Sequence, residues 1–146
     1  LERNGYGQYE VSAFARPGES ALHNLNYWEF GDYLGIGAGA HGKLTSEKTI
    51  VRTQKSRVPT DYMANTQGRR IEVSSEDINL EFLMNVLRLT NGFELDLFTL
   101  RTHKPIEELF PFIHDAKKHG FVEQYENRLV PTKLGQRFLD DMLLLC

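Results

Sequence analysis

Apolar residues in the second half of the chain recur at helical spacing. Ile78, Phe82, Val86 and Leu89 stand four, four and three apart, with Leu83 widening the stripe, which predicts an amphipathic helix beginning near Glu76-Asp77. Ser74 or Ser75 is placed to cap it, the two acids suit the positive end of its dipole, and Asn91-Gly92 is the expected stop. A short helix over 96–101 follows, then one over 106–119 whose apolar face is Leu109, Ile113 and Ala116. Pro111 must kink or divide that helix unless it falls in the first turn, and Lys117-Lys118-His119 before Gly120 marks its end. Residues 121–130 alternate as a hairpin turning near Glu126-Asn127, and Thr132 caps a last helix with Leu134, Phe138, Met142 and Leu145 on one stripe. The first half reads as strands. Residues 9–15 alternate, putting Glu10, Ser12 and Phe14 on one face, and Arg16-Pro17-Gly18 ends the run. Residues 33–36 and 49–53 are further strand candidates, and 60–65 reads as a helical turn after Pro59.

The fold class expected is α+β, with a short strand-rich part over 1–70 carrying Gly-rich and basic loops, and a helical part over 71–146. Helix, short helix, helix, hairpin and helix is close to a winged-helix order. The third helix and the hairpin carry Glu107, Glu108, Asp115, Glu123 and Glu126, acids that oppose phosphate, so the sequence argues against nucleic acid as a partner.

Composition narrows the classes. With 146 residues, 40% hydrophobic and 25% charged, the chain suits one ordinary domain, or a small domain plus a piece of another. Its net charge of −3 gives no overall field that gathers nucleic acid. The one cysteine, Cys146, excludes an intramolecular disulfide, a multi-cysteine zinc site and an iron–sulfur cluster held by this chain alone. No run is apolar enough to span a bilayer and no signal segment is visible, which predicts a cytoplasmic protein. The chain opens at Leu1 and enters strand-like sequence within its first ten residues, as expected of a fragment of something longer. A fragment cut from a larger sheet would leave strand edges uncovered, so dimerisation is expected, and sedimentation as a clean monomer would contradict it.

Candidate chemistry concentrates at 23–42. His23, Asn24, Tyr27 and Trp28 are followed by Gly35, Gly37, Gly39, Ala40 and His41, which puts aromatic bulk beside pliable backbone, suited to a flat ligand or a nucleotide. The plain alternative is a strand ending in a tight Gly-rich turn. Gly37-Ala38-Gly39-Ala40-His41-Gly42 matches the G-x-G-x-x-G dinucleotide pattern, but no helix follows and no acid lies about twenty residues on, so that site is rejected. His23 and His41 are candidates for metal, haem or acid–base roles, whereas His114 and His119, five apart, make no metal pair on a helix. Glu10 and Ser12 suit either a polar cleft or the solvated face of an edge strand. Between 43 and 70, seven basic residues (Lys43, Lys48, Arg52, Lys55, Arg57, Arg69 and Arg70) face Glu47 and Asp61, enough to meet phosphates or propionates if the run is not simply a solvated loop. No catalytic constellation and no metal-ligand set stands out.

His23-Asn24-Leu25-Asn26-Tyr27-Trp28 matches an H-N-x-x-Y-W signature, flanked by Gln8-Tyr9-Glu10-Val11-Ser12 before it, Asp32 to Gly42 after it, and Arg52-Thr53-Gln54-Lys55-Ser56-Arg57 beyond. In these stretches the chain resembles the HemW-like proteins, radical SAM relatives of oxygen-independent coproporphyrinogen III oxidase. The resemblance implies a parent with a radical SAM barrel, S-adenosylmethionine and a [4Fe–4S] cluster, of which this chain would be the end of the barrel plus a winged-helix-like accessory domain of the HemN C-terminal type. It implies a parent that binds haem and delivers it to haem-receiving proteins, with this part non-catalytic. His23, Asn24, Tyr27 and Trp28 would then face haem, and Glu10, Ser12, Gly35, Gly37, Gly39 and Ala40 would lie along the S-adenosylmethionine region. Arg52, Lys55 and Arg57 are candidates to meet haem propionates. The alternatives are a parent that is itself a coproporphyrinogen III oxidase, and a winged-helix nucleic-acid module.

Overall fold

The computed structural model describes residues 1–47 and 49–146; Lys48 of the basic stretch lies outside them. The chain mixes helices with antiparallel strands, in keeping with the α+β expectation. Its first element is a hairpin of β1 (Gly7–Glu10) and β2 (Ala13–Ala15), followed by helix α1 (Leu22–Trp28). A three-stranded meander of β3 (His41–Thr45), β4 (Ile50–Gln54) and β5 (Arg69–Glu72) comes next, with helix α2 (Pro59–Ala64) between its last two strands. The second half holds α3 (Ile78–Val86), the short strand β6 (Phe93–Glu94), α4 (Asp96–Thr102) and α5 (Phe110–Lys118). It ends in the hairpin β7 (Val122–Tyr125) and β8 (Arg128–Pro131), then α6 (Lys133–Arg137) and α7 (Leu139–Leu143). Strand β6 adds to β8, giving the order β6-β8-β7.

The helical stripe reads out as packing. Ile78, Phe82, Leu83 and Val86 of α3 are buried, and Phe82 is the centre of an aromatic cluster. Its ring meets Phe30, Phe93 and Phe98 edge-on at 5.6, 5.3 and 5.1 Å, the arrangement that aromatic quadrupoles favour. Leu109, Phe112, Ile113, Ala116, Val122, Leu129 and Met142 close the same core. Among the described residues, the buried hydrophobic side chains ahead of Val73 are Phe30 and Ile50.

Several expectations need correction. The strand expected over 9–15 is a hairpin that turns at Val11-Ser12, because the Ser12 N–H and hydroxyl both donate to the Glu10 carboxylate at 3.0 and 2.8 Å. The strand expected over 33–36 is a single bridge, Tyr33 to Lys43. The His23–Trp28 stretch is helical and not the strand of the plain alternative. Helix α3 starts at Ile78, after a turn in which the Asp77 N–H donates to Ser74 Oγ at 3.2 Å, and it ends before the expected glycine stop. The 106–119 segment divides into a 3₁₀ turn (Ile106–Leu109) and α5, with Pro111 in the first turn of α5, where its missing N–H costs nothing. The last helix breaks at Phe138, whose φ of −115° and ψ of 43° leave the helical region. Thr132 does cap α6, accepting from the Gly135 N–H at 3.0 Å, but the break turns Leu134 and Phe138 outward while Met142 is buried.

Candidate functional site

A seven-residue helix turns the signature into two rows. His23 and Tyr27 are four apart, as are Asn24 and Trp28, so each pair shares a helix face and the two faces are neighbours. His23 and Tyr27 form the exposed row, with ring centroids 6.4 Å apart and nearly perpendicular. Tyr27 packs edge-on against Tyr33 at 4.5 Å, and the Tyr33 hydroxyl accepts from Arg52 at 3.3 Å. Among the described residues, no hydrogen bond engages the His23 ring. Its nitrogens are therefore available to a ligand.

The inner row is tied to the rest of the chain. Asn24 donates to the Tyr9 hydroxyl at 3.2 Å. The Trp28 ring lies under the Arg88 guanidinium, 4.3 Å from its carbon, so one face of the indole is already covered. Arg88 in turn donates to Glu10 at 3.1 Å and to Ser12 Oγ at 3.3 Å. Glu10 is only 2% exposed, and this pairing is what makes a buried carboxylate tolerable. The hairpin is stitched to the same region by main chain, through Val11 N–H to Arg88 O and Thr90 N–H to Tyr9 O, each at 3.1 Å. Arg88 and Tyr9 carry the site's architecture; Tyr9 was visible only as part of a matching stretch and Arg88 not at all, because their partners lie 15 and 78 residues away.

The glycine segment forms a turn running into β3. Gly37 and Gly39 have φ of 103° and 74°, and a Cβ on Gly35 would stand 2.0 Å from the His41 carbonyl oxygen. Main chain holds the segment to the end of β4, from Gly39 N–H to Ser56 O at 2.7 Å and from Lys55 N–H to Ala40 O at 2.9 Å. The element after the glycines is a strand, in accord with rejecting a dinucleotide site.

The three basic candidates part company. Arg52 is paired with Glu81 at 2.6 Å, while Lys55 and Arg57 line an open cleft beside Arg69. Lys43, counted only as one of the basic run, is the unexpected buried cation. It is 1% exposed, donates to Phe30 O, Asp32 and Thr45 at 2.8–3.0 Å, and lies 4.0 Å from the centre of the Phe30 ring. Burial pulls its pKa below the ordinary lysine value despite Asp32. The Asp32 carboxyl feels some burial as well, but bonds from the Thr45 N–H and hydroxyl and from Lys43 hold it below its usual range. Among the described residues, no group of three or more His, Cys, Asp or Glu converges on a metal site, and no helix is long and apolar enough to cross a membrane.

Comparison with known proteins places these features. Residues 73–138 match the HemN C-terminal domain. The heme chaperone HemW of Escherichia coli (strain K12) is 40% identical over 148 aligned residues, covering 98% of this chain and 38% of that protein. HemW of Bacillus subtilis (strain 168) is 31% identical over 93% of this chain and 37% of its own. The mitochondrial radical S-adenosyl methionine domain-containing protein 1 of Bos taurus is 45% identical over 70% of this chain and 24% of its own. Among solved structures, the coproporphyrinogen III oxidase HemN of Escherichia coli, described as a radical SAM enzyme, aligns with a TM-score of 0.59 over 99% of this chain and 38% of that one. At 16% identity the last likeness speaks for the fold. The chain thus spans about two fifths of the HemW proteins and about a quarter of the mitochondrial protein, and within that span it is HemW-like in sequence, with residues 73–138 matching the HemN C-terminal domain.

Proposed function

We propose that this chain is the non-catalytic, haem-facing part of a HemW-like radical SAM protein that binds haem and hands it to haem-receiving proteins. The observation that carries the reading is the exposed row of α1, where His23 offers an unengaged imidazole one helical turn from Tyr27. An imidazole is a common axial ligand to haem iron, and a neighbouring aromatic supplies a flat apolar surface for the macrocycle. In this reading Asn24 and Trp28 work indirectly, fixing the helix against Tyr9 and Arg88 so that the outer row is presented. Lys55 and Arg57 have no salt-bridge partner among the described residues to give up to a propionate, whereas Arg52 would have to leave Glu81.

We read residues 1–70 as the end of a radical SAM barrel and 71–146 as a winged-helix-like accessory domain. Support comes from the order α3, β6, α4, α5, β7, β8, with β7 and β8 as the wing. The [4Fe–4S] cluster of the parent does not fit these residues, since the chain has one cysteine. In this reading S-adenosylmethionine would be met along Gly35, Gly37, Gly39 and Ala40, with Glu10 and Ser12 assigned to the same region. The Glu10 carboxylate is already committed to Arg88, so its part there is to hold the edge in place.

Haem titration of the chain, beside a longer protein that includes the radical SAM barrel, tests the reading. A Soret shift is expected, and in His23→Ala it is lost or moved while binding weakens by about tenfold or more. A Soret band identical in wild type and His23→Ala would remove His23 from the role.

A further inference from the structure

An open cleft of about 440 Å³ lies between the end of β4, the loop leaving it, α2 and the start of β5. Lys55, Arg57 and Arg69 bring three positive charges to its lining and Asp61 brings the one carboxylate, with Ser56 and Asn65 as neutral hydrogen-bonding groups. Among the described residues, none of these three cations is in a salt bridge. In this they differ from Lys43, Arg52, Arg88, Lys104 and Arg128, each of which has a carboxylate within 3.1 Å. The nearest engagement of the Lys55 ammonium is the Tyr62 ring, 5.8 Å away.

The backbone enforces this gathering. Gly39 and Ala40 bond to Ser56 and Lys55 and fix one wall. On the opposite side Gly68 sits at φ +72°, its N–H donating to Asn65 Oδ1 at 3.2 Å, and a Cβ there would stand 2.4 Å from the Gln54 carbonyl oxygen. Arg69 is then paired in register with Gln54, directly before Lys55. Like charges held together by strand pairing repel one another, and an anion bound among them relieves the repulsion. Two arginines and a lysine supply forked and point donors in the combination that oxyanions accept.

We propose that this cleft binds a small ligand through paired oxyanions, with Arg57 and Arg69 as the forked donors, Lys55 as the point charge and Asn65 as a neutral donor. Two sources share that chemistry: phosphate groups of a small molecule, and the paired carboxylates of a tetrapyrrole. The inference goes beyond the haem reading, since it adds Arg69 and stands even if His23 binds nothing.

Inorganic pyrophosphate is the probe. Calorimetric titration of the full chain at near-physiological salt should show saturable one-site binding, weakened about tenfold or more in Arg57→Gln/Arg69→Gln, because each lost arginine removes charge-assisted bonds. Lys133→Gln, an exposed lysine on α6, should leave it unchanged. Both arginines are exposed, so the double variant should melt with the parent; if it melts early, Lys55→Gln carries the same test. Absence of saturable binding, or equal affinity in parent and cleft variants, overturns the proposal. Haem that displaces bound pyrophosphate assigns the carboxylate source, and haem that leaves it in place assigns the phosphate source.

Discussion

Two buried ionic residues make the sharpest demands on the fold. Arg88 is the partner of the Glu10 carboxylate and the cover of Trp28. Truncation in Arg88→Ala leaves a nearly inaccessible carboxylate without its cation, which is expected to cost about 3 kcal/mol, seen as a lower urea midpoint. Glu10→Gln should cost less, since an amide needs no counter-charge. The Lys43–Asp32 pair predicts a response to acid. Asp32 is held below its ordinary 3.8, so its contribution is complete above that value and is lost as pH falls through the lower folded value. Lys43 has the same sign of shift for the opposite reason, its buried charge being disfavoured until pH rises through its folded value. Protonating Asp32 therefore strands a buried ammonium. Urea midpoints measured from pH 7 down to about pH 2.5 should fall more steeply for wild type than for Asp32→Asn, which has lost the pair already. Little of this was legible in the sequence. Glu10 and Ser12 stood out as a polar face, but Arg88 reads there as one more exposed charge near a helix end, and nothing about Lys43 distinguishes it from the six other basic residues of its run.

Elements were legible where they bury a stripe and opaque where they do not. The periodicity of α3 and α5 is written by core contact, while the turn at Glu126-Asn127 is marked by its exposed polar pair, where Glu126 adopts φ of 51°. Helix α1 buries no residue, so its apolar positions follow no stripe and its sequence reads as anything aromatic. The hairpin β1–β2 was hidden for a different reason: a side-chain turn at Glu10 and Ser12 interrupts alternation that would otherwise continue. The break at Phe138 likewise lies outside any period, since it depends on where α7 must go to bury Met142. For the candidate site this means that the signature's spacing was visible while its division into an outer and an inner row was not. That division needs the helix.

The whole molecule is joined through one aromatic cluster. Phe30, two residues beyond α1, reaches the ring of Phe82, and Ile50 comes in from the middle of the meander. Main-chain bonds from the β1–β2 hairpin to Arg88 and Thr90, and the Arg52–Glu81 pair, add further ties between the halves. Legibility followed the distribution of core. The half that owns most of the buried side chains declared its architecture, and the half that lends Phe30 and Ile50 declared chiefly its chemistry. The absence of buried residues in α1 has a kinetic consequence. A helix of seven residues held mainly by Asn24, Trp28 and its following Phe30 can open locally without disturbing α3, so its amides should exchange with deuterium well before those around Phe82. Equal protection in the two helices would refute this. A ligand gripping His23 would then announce itself as slowed exchange confined to α1, a signature of binding that requires no absorbing cofactor.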